Sequence, residues 1–149
     1  MIDRTIRPVE PKDTDQLIQL MYQYIDFYER PRPDEGTLRL FIANLQQEPS
    51  SGMQFVAEQG GVLVGFATLY FTFSTLQLKR AAIMNDLFVA SAQRGSRIGE
   101  GLFQACLEYI RSNGYAYMTW ETAQDNTAAQ SFYDKMGGHR SDWLVYEIS

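Results

Sequence analysis

One stretch of the sequence, residues 81–110, constrains the fold more than any other part of the chain. Residues 81–89 are mostly apolar and end in Phe88 and Val89, residue types that favour an extended strand. From Ile98, apolar residues recur at the spacing of an amphipathic helix. A turn rich in glycine and arginine, residues 93–99, separates the predicted strand from the predicted helix. This order predicts that free N–H groups at the helix start point to one spot, where an anion is favoured.

The turn itself carries residues that suit a phosphate. Gly95 and Gly99 let a ligand approach the backbone closely, and Arg94 and Arg97 add positive charge. A phosphate-binding P-loop needs a lysine followed by serine or threonine after its last glycine, and this turn has neither there. The spacing of the glycines also differs from the G-x-G-x-x-G of dinucleotide-binding turns.

Residues 89–102 resemble motif A of the GNAT superfamily of N-acetyltransferases, whose pattern is Q/R-x-x-G-x-G/A. The strand that precedes it, with residues 86–89, also fits. Arg97 stands where the family usually has the first glycine of the motif, and a further cation there suits a pyrophosphate. The matching residues of the motif are Arg94, Ile98, Gly99 and Leu102.

A second motif near the C-terminus resembles the GNAT signature N-x-x-A-x-x-F-Y-x-x-x-G. Asn126 or Asp125 is expected to cap the helix that carries it, and Gly137 or Gly138 to end it. The two motifs stand in the order of the family, and the resemblance covers residues 83–138. The residues that match the signature are Asn126, Ala129, Phe132, Tyr133 and Gly137.

Length and charge limit the classes of protein that fit. At 149 residues the chain is expected to form one N-acetyltransferase domain, residues 1–149, with a single core. The net charge of −5 argues against general nucleic-acid binding and slightly favours cationic substrates.

The single Cys106 allows no internal disulfide and lies on an apolar helix stripe, so we expect it buried. No signal peptide or membrane-spanning run is found, so we expect a cytoplasmic protein without a membrane partner. A homodimer is also expected, since families like this often form one.

Periodicity and turn signals predict the order β-α-α-β-β-β-α-β-α-β, a mixed α/β fold. Asp13, with Gln16 three residues later, resembles a capping box for the first helix, and residues 74–80 read as a linker. The GNAT resemblance implies a mostly antiparallel, twisted sheet flanked by helices, whose fourth and fifth strands splay apart. The predicted strands are 2–9, 53–58, 62–73, 81–89, 115–122 and 143–148, and the predicted helices are 14–29, 35–48, 98–112 and 126–136.

The resemblance implies that acetyl-CoA enters the gap between the splayed strands, and no metal site is expected. Backbone N–H groups of residues 87–89 hold the pantetheine and carbonyl in this interpretation, and the turn holds the diphosphate. The expected cofactor-binding residues are Leu87, Phe88, Val89, Arg94, Gly95, Ser96, Arg97, Ile98, Gly99, Asn126, Phe132 and Tyr133.

Acetyl transfer to an amine requires two proton movements. A lysine-like ammonium has a pKa near 10.4, so forming the neutral amine at pH 7 costs roughly 4.6 kcal/mol. The departing thiolate of coenzyme A must also be protonated. The resemblance implies that Tyr133 donates this proton; the alternative is that Phe132 and Tyr133 only pack their helix on the core.

The sequence leaves two candidates for the residue that acts as the general base. Related polyamine acetyltransferases carry a glutamate where this chain has Asn85, so Asp86 and Glu121 are the remaining carboxylates at strand ends near the gap. Either could accept the proton through a water molecule. Alternatively, Glu121 is a solvated residue and Asp86 binds the substrate or the backbone. His139, the single histidine, is expected in a solvated loop.

The expected substrate-binding residues are Tyr24, Phe27 and Tyr28 on the first helix, with Asn85 and Asp86 on the strand. Aromatic faces beside carboxylates suit a cation, although aromatics at helical spacing are most often core residues. We expect direct transfer, in a ternary complex, to the primary amine of a small molecule such as a polyamine or amino-acid-like compound. The tail, residues 142–148, also looks like the diamine-acetyltransferase branch. The alternatives are a non-catalytic acetyl-CoA sensor and, less favoured, another nucleotide-binding α/β domain.

Overall fold

The alternating apolar segments and glycine turns of the chain form a mixed α/β structure, seen in a computed structural model that describes residues 4–149. The predicted fold class is confirmed. The strands are β1 (Arg4–Pro8), β2 (Gly52–Gln59), β3 (Val62–Ser74), β4 (Lys79–Val89) and β5 (Met118–Thr119). The helices are α1 (Thr14–Phe27), α2 (Glu35–Gln47), α3 (Ile98–Ser112) and α4 (Thr127–Lys135), and short 3-10 turns precede α1 and α3.

The strands form one sheet in the order β1-β2-β3-β4-β5. The first four are antiparallel, and β5 runs parallel to β4. Gly60 and Gly61 both have positive φ (60° and 81°), which allows a tight hairpin turn between β2 and β3. The predicted linker over 74–80 is instead a short turn, because β3 extends to Ser74 and β4 begins at Lys79.

The two faces of the sheet carry separate cores. Helices α1 and α2 bury their apolar stripes on one face, which includes Phe66 and Phe88. Helix α3 buries its stripe on the other face, where Phe132 and Tyr133 of α4 also pack. Cys106 of α3 is fully buried there, and this burial raises the pKa of its thiol to about 12. The prediction of a structural cysteine is therefore confirmed.

Strand β4 contains a bulge and separates early from its neighbour β5. Asp86 pairs with Thr68 and Met84 pairs with Leu69, so Asn85 between them has no partner on β3. On its other side, β4 pairs with β5 only at residues 82 and 83. Beyond that point, residues 84–89 of β4 have no strand on the side away from β3, which is the splay that the family resemblance implied.

Two predicted strands differ from the structure. The strand expected over 115–122 is limited to Met118–Thr119, because β5 is paired on one side only and at two positions. The strand expected over 143–148 is wrong: residues 139–149 form no strand, since they lie beside no sheet edge of their own chain. Ile2 and Asp3, which the first predicted strand includes, lie outside the described residues. Among residues 4–149, every helix is too short or too polar to cross a lipid bilayer.

The predicted capping box at the start of α1 is also wrong. The Asp13 carboxylate accepts hydrogen bonds from the backbone N–H of Glu10 (2.8 Å) and from two guanidinium nitrogens of Arg7 (2.8 and 2.9 Å). Gln16 reaches across to accept a hydrogen bond from the backbone N–H of Leu63 (2.8 Å). Asp13 is 3% exposed, and the Arg7 guanidinium holds the pKa of its carboxyl below the usual value. This pair fixes the start of α1 against β1.

We predict that Arg7→Leu lowers the free energy of unfolding at pH 7 by about 3 kcal/mol, because it leaves the buried Asp13 carboxylate without a cation. Since the pKa of Asp13 is lowered in the folded state, the stabilisation is present above the unfolded-state pKa, about 3.9, and is lost as the pH falls through the folded-state value. Urea unfolding between pH 7 and about pH 2 measures it.

The control for this experiment is Arg39→Leu, which removes an exposed ion pair with Asp15. We expect it to change the free energy of unfolding by less than about 1 kcal/mol. A loss in Arg7→Leu that stays constant down to about pH 2 would contradict the role of Asp13.

Candidate active site

The unpaired edge of β4 forms one wall of a gap that α3 and α4 complete. A Cβ atom placed on Gly99, at the start of α3, would lie 3.7 Å from Cγ2 of Val89 on β4. The same atom would lie 4.0 Å from Cζ of Phe132 on α4. The two sequence motifs therefore meet beside β4, as the resemblance implied, and Gly99 leaves open the space between them.

One end of the gap has the properties of an anion site. The backbone N–H groups of residues 95–97 make no hydrogen bond to any other described residue. The first N–H groups of α3 have no partner within the helix. The guanidinium groups of Arg94 and Arg97 belong to the same turn, and Arg4 donates a hydrogen bond to the carbonyl of Ser96. Free donors, a helix N-terminus and three cations together fit a diphosphate. Sequence reasoning missed Arg4, because only the sheet brings β1 to this turn.

Arg97 adopts the left-handed conformation, with φ of 68°, at the N-cap of α3. In this conformation a residue with a Cβ is strained by about 1 kcal/mol or more. This explains why the motif usually has glycine at this position, where a glycine pays no such cost. The structure therefore keeps the turn geometry of the motif and adds a cation to it.

Arg94 connects this turn to the opposite face of the sheet. Its Nε donates a hydrogen bond to the carbonyl of Val89 (3.2 Å). Its guanidinium carbon lies 5.4 Å from the ring centre of Phe27 and 5.6 Å from that of Phe88, distances typical of cation–π contacts. The charge of Arg94 thus lies between the turn and the end of α1.

A buried carboxylate lies beside the bulge of β4. Asp86 is 7% exposed and accepts a hydrogen bond from Nδ2 of Asn85 (3.0 Å). Burial and, second, the charge of Asp86 raise the pKa of Tyr24. The same two causes raise the pKa of Tyr70 to about 12. Both hydroxyls therefore remain protonated at neutral pH and are available as donors near the carboxylate.

Tyr70 is a candidate site residue that sequence reasoning missed. It lies two residues after Thr68 on β3, and Thr68 is the direct partner of Asp86. Side chains two apart on a strand share a face. Only the register of the two strands, which includes the bulge, brings Tyr70 near Asp86, and no local pattern reports that register.

The aromatic residues at the end of α1 differ in burial. Tyr24 packs edge-on against Phe66 and Phe88, with ring centres 5.8 and 5.9 Å apart, so it is part of the core. Phe27 and Tyr28 are each 52% exposed at the end of the helix. Tyr24 is therefore a core residue, whereas Phe27 and Tyr28 remain candidates for contact with the substrate.

Tyr133 of α4 is the neighbour of Phe132, which lies beside the gap. Its ring centre lies 5.3 Å from that of Trp120 and 5.6 Å from that of Phe132. Burial and, second, the neighbouring Tyr28 raise the pKa of Tyr133, so its hydroxyl stays protonated at neutral pH.

The predicted caps of α4 are present. Oδ1 of Asn126 accepts a hydrogen bond from the backbone N–H of Ala129 (3.1 Å), and Gly137 follows the helix with φ of 93°. Asn126 therefore orients α4, and its side-chain oxygen is occupied. Glu121 lies in an irregular, exposed segment after β5 and forms no ion pair with another described residue. His139 is exposed after α4, as expected.

Comparisons with known proteins agree with this geometry. The sequence profile of the Acetyltransferase (GNAT) family matches residues 17–138. The chain is 33% identical, over 95% of its length and 93% of the relative's, to the uncharacterized N-acetyltransferase YhfO of Bacillus subtilis (strain 168).

Solved structures show the same fold. A crystal structure of a probable acetyltransferase superposes with a TM-score of 0.89 at 26% identity, covering 97% of each chain. The aminoglycoside N-acetyltransferase AAC(6')-Iy in complex with CoA superposes with a TM-score of 0.84 at 17% identity, covering 100% of this chain and 96% of that one.

We predict that Gly99→Ala weakens the binding of coenzyme A at least about tenfold, because the added methyl group occupies the gap between Val89 and Phe132. Its protein contacts, at 3.7 and 4.0 Å, are ordinary. Since alanine is the better helix former, the free energy of unfolding should rise by about 0.5–1 kcal/mol. Titration calorimetry with coenzyme A and urea unfolding measure the two effects.

Gly36→Ala is the matched control, because Gly36 is the second residue of α2 as Gly99 is the second of α3. Its added Cβ would meet only Oδ2 of the Asp34 side chain, at 3.2 Å. We expect unchanged affinity for coenzyme A in this variant. Equal affinity in both variants would show that the ligand does not enter beside Gly99.

Proposed function

The chain belongs to the acetyltransferase (GNAT) family, and from this premise we propose that it transfers an acetyl group directly to the primary amine of a small molecule within a ternary complex. The protein is an N-acetyltransferase, and its cofactor is acetyl-CoA. The acceptor, the direct transfer and the roles of individual residues are parts of the proposal.

The observation that carries the proposal is a buried carboxylate without a cation. Two carboxylates are buried among residues 4–149, Asp13 and Asp86. Asp13 is paired with Arg7, whereas Asp86 forms no ion pair within the described part of the chain. A buried, unpaired charge is costly. A substrate ammonium that enters beside Asp86 would supply the missing cation.

Asp86 has the chemistry to hold and then deprotonate this ammonium. Its carboxylate binds the charged form, and a carboxylate oxygen then accepts the proton that must leave before the nitrogen can attack. Burial and, second, the charge of Asp86 raise the pKa values of Tyr24 and Tyr70, so both hydroxyls keep their protons, and we assign to them the orientation of this carboxylate. The cost of deprotonation at pH 7, roughly 4.6 kcal/mol for a lysine-like amine, is thereby offset in part.

The residues at the other end of the gap fit the cofactor. When bound, acetyl-CoA supplies the activated acetyl thioester. The N–H groups of residues 95–97 and the start of α3 bind the diphosphate, with Arg4 and Arg97 as cations and with Arg94 between the diphosphate and the acceptor. Backbone groups on the unpaired edge of β4, at residues 87–89, bind the pantetheine arm. The Tyr133 hydroxyl donates its proton to the departing sulfur.

Two acceptor classes fit within this proposal. Asp86 and the exposed rings of Phe27 and Tyr28 suit a linear polyamine, whose cations they attract. The guanidinium of Arg94, which lies over Phe27, favours instead an amino-acid-like acceptor with a negative group near its amine. A kinetic screen of polyamines against amino acids and their amides separates the two, and turnover restricted to peptide N-termini or aminoglycosides would contradict both.

We predict that Tyr133→Phe lowers kcat about 10²-fold or more, because the hydroxyl that protonates the departing sulfur is removed. The affinity for coenzyme A should stay within about twofold, since the ring and its packing remain. Thiol release and titration calorimetry measure the two quantities.

Tyr109→Phe is the control for Tyr133→Phe, because Tyr109 stacks on Phe71 (5.7 Å between ring centres) at a distance from the gap. We expect it to leave kcat unchanged. An unchanged kcat in Tyr133→Phe as well would leave Tyr133 with a packing role only.

We predict that Asp86→Asn lowers kcat/KM about 10²-fold at pH 7, because the variant keeps the shape of the side chain but cannot accept a proton. The loss should shrink as the pH approaches the pKa of the free substrate amine, where the base is no longer needed. Glu121→Gln should have a much smaller effect, since Glu121 is exposed outside β5. A larger loss in Glu121→Gln would assign the base to Glu121.

A further inference from the structure

A cavity lies between the C-terminal part of α2 and the sheet, at the point where β1 ends and β2 begins. Its volume is about 240 Å³. A water molecule takes up about 30 Å³ in the liquid, so the cavity has room for a small organic molecule. Most of the wall is apolar, and the apolar residues that line it include Val9, Leu45, Pro49 and Met53.

Two side-chain amides line the same cavity, Gln46 on α2 and Gln54 on β2. Nε2 of Gln46 and Oε1 of Gln54 are both buried, and neither has a hydrogen-bond partner among residues 4–149. Gln54 as a whole is 1% exposed. A buried donor or acceptor that stays unpaired is unfavourable, so the cavity offers one of each to a molecule that enters it.

The orientation of the Gln54 amide is set by the neighbouring strand. Its Nε2 donates a hydrogen bond to Oγ1 of Thr68 on β3 (3.1 Å). Thr68 is fully buried, so this bond is shielded from solvent. The amide nitrogen of Gln54 is thereby directed to β3, and its carbonyl oxygen is left as an acceptor for the cavity.

A donor and an acceptor in an apolar wall select a ligand with the complementary pair. A ligand carbonyl would accept from Nε2 of Gln46, and a ligand N–H would donate to Oε1 of Gln54. A secondary amide has both groups, and in its trans form they point to opposite sides. The two glutamines also lie on different walls, one on the helix and one on the sheet.

We propose that this cavity binds the acetamido group of N-acetylated amines, because transfer of an acetyl group to an amine produces a secondary amide of this class. The cavity adjoins an open groove of about 620 Å³ between the start of α1 and α2, and Pro11 and Gln46 line both. A substituent on the amide nitrogen therefore has room to extend. The site is separate from the gap beside β4, since β3 lies between β2 and β4. The proposal does not depend on the acceptor or on the role of Asp86.

Methyl resonances can show where a ligand binds. The probe is N-methylacetamide, a small secondary acetamide, titrated into protein with ¹³C-labelled leucine and valine methyl groups. The resonances of Val9 and Leu45, which line the cavity, should shift. Val89, which lies at the gap beside Gly99, should not. Methylammonium, the amine without its acetyl group, should shift none of the three.

Two substitutions test the two contacts separately. Gln46→Met and Gln54→Met keep an unbranched side chain but remove the amide, and each should lower the affinity for N-methylacetamide about fivefold. Gln47→Met is the matched control, because Gln47 is exposed and does not line the cavity. We expect it to bind the probe as the unsubstituted protein does. Urea unfolding establishes that each variant is folded, and Gln46, which is only partly buried, provides the test if Gln54→Met does not fold.

A second probe tests the direction of the hydrogen bond at Gln54. N,N-Dimethylacetamide keeps the carbonyl group but lacks the N–H, so it should bind the unsubstituted protein about fivefold more weakly than N-methylacetamide. In Gln54→Met the two probes should bind equally, because the acceptor that distinguishes them is removed. In Gln46→Met the preference for N-methylacetamide should remain.

Three results would overturn the proposal. The first is a titration in which Val9 and Leu45 do not shift, because the two amides are then satisfied by each other or by water alone. The second is a shift of Val89 without one of Leu45, which would place the probe in the gap. The third is equal binding of the two probes to the unsubstituted protein, or unchanged affinity in both Gln46→Met and Gln54→Met, because the amides would then make no contact with the ligand.

Discussion

The site depends on one constraint: residues 84–89 of β4 pair with a neighbouring strand along only one edge. β3 pairs with β4 along almost its whole length, whereas β5 pairs with it at two residues and then departs. Backbone N–H and C=O groups need partners, so an edge left open inside the fold is a site for a ligand. The helices that follow β4 and β5 carry the two motifs to this opening, where Val89, Gly99 and Phe132 meet. A fully paired sheet with the same helices would have no such gap.

Charge within the molecule is organised locally, not globally. The chain carries a net charge of −5, yet three arginines are placed at one turn. The two buried carboxylates also differ in function because of their partners. Asp13 is neutralised by Arg7 and holds α1 in place, while Asp86 is buried and forms no ion pair with any residue from 4 to 149. Net charge therefore predicts little about the ligands of this site.

The sequence was sufficient for the fold class and for the features that are local along the chain. The Gly60–Gly61 turn, the Asn126 cap and the two motif helices all follow from neighbouring residues. The features that the sequence did not predict depend on contacts between segments that are distant along the chain. Asp13 has a local capping pattern, but Arg7 of β1 takes its carboxylate. Tyr70 comes near Asp86 only through the register of two strands. Residues 143–148 have the composition of a strand, but a strand also needs a paired neighbour, and these residues pair with none of the five strands.

The left-handed backbone at Arg97 restricts how this position can vary. Glycine, asparagine and aspartate are the residue types that take this conformation at least cost. None of them carries a positive charge, and aspartate would bring a negative one. Arginine at this position therefore adds a positive charge but strains the backbone. Among relatives of this chain, a substitution pattern of glycine or asparagine would reveal that only the shape of the turn is retained, whereas persistent arginine or lysine would reveal selection for the cation itself.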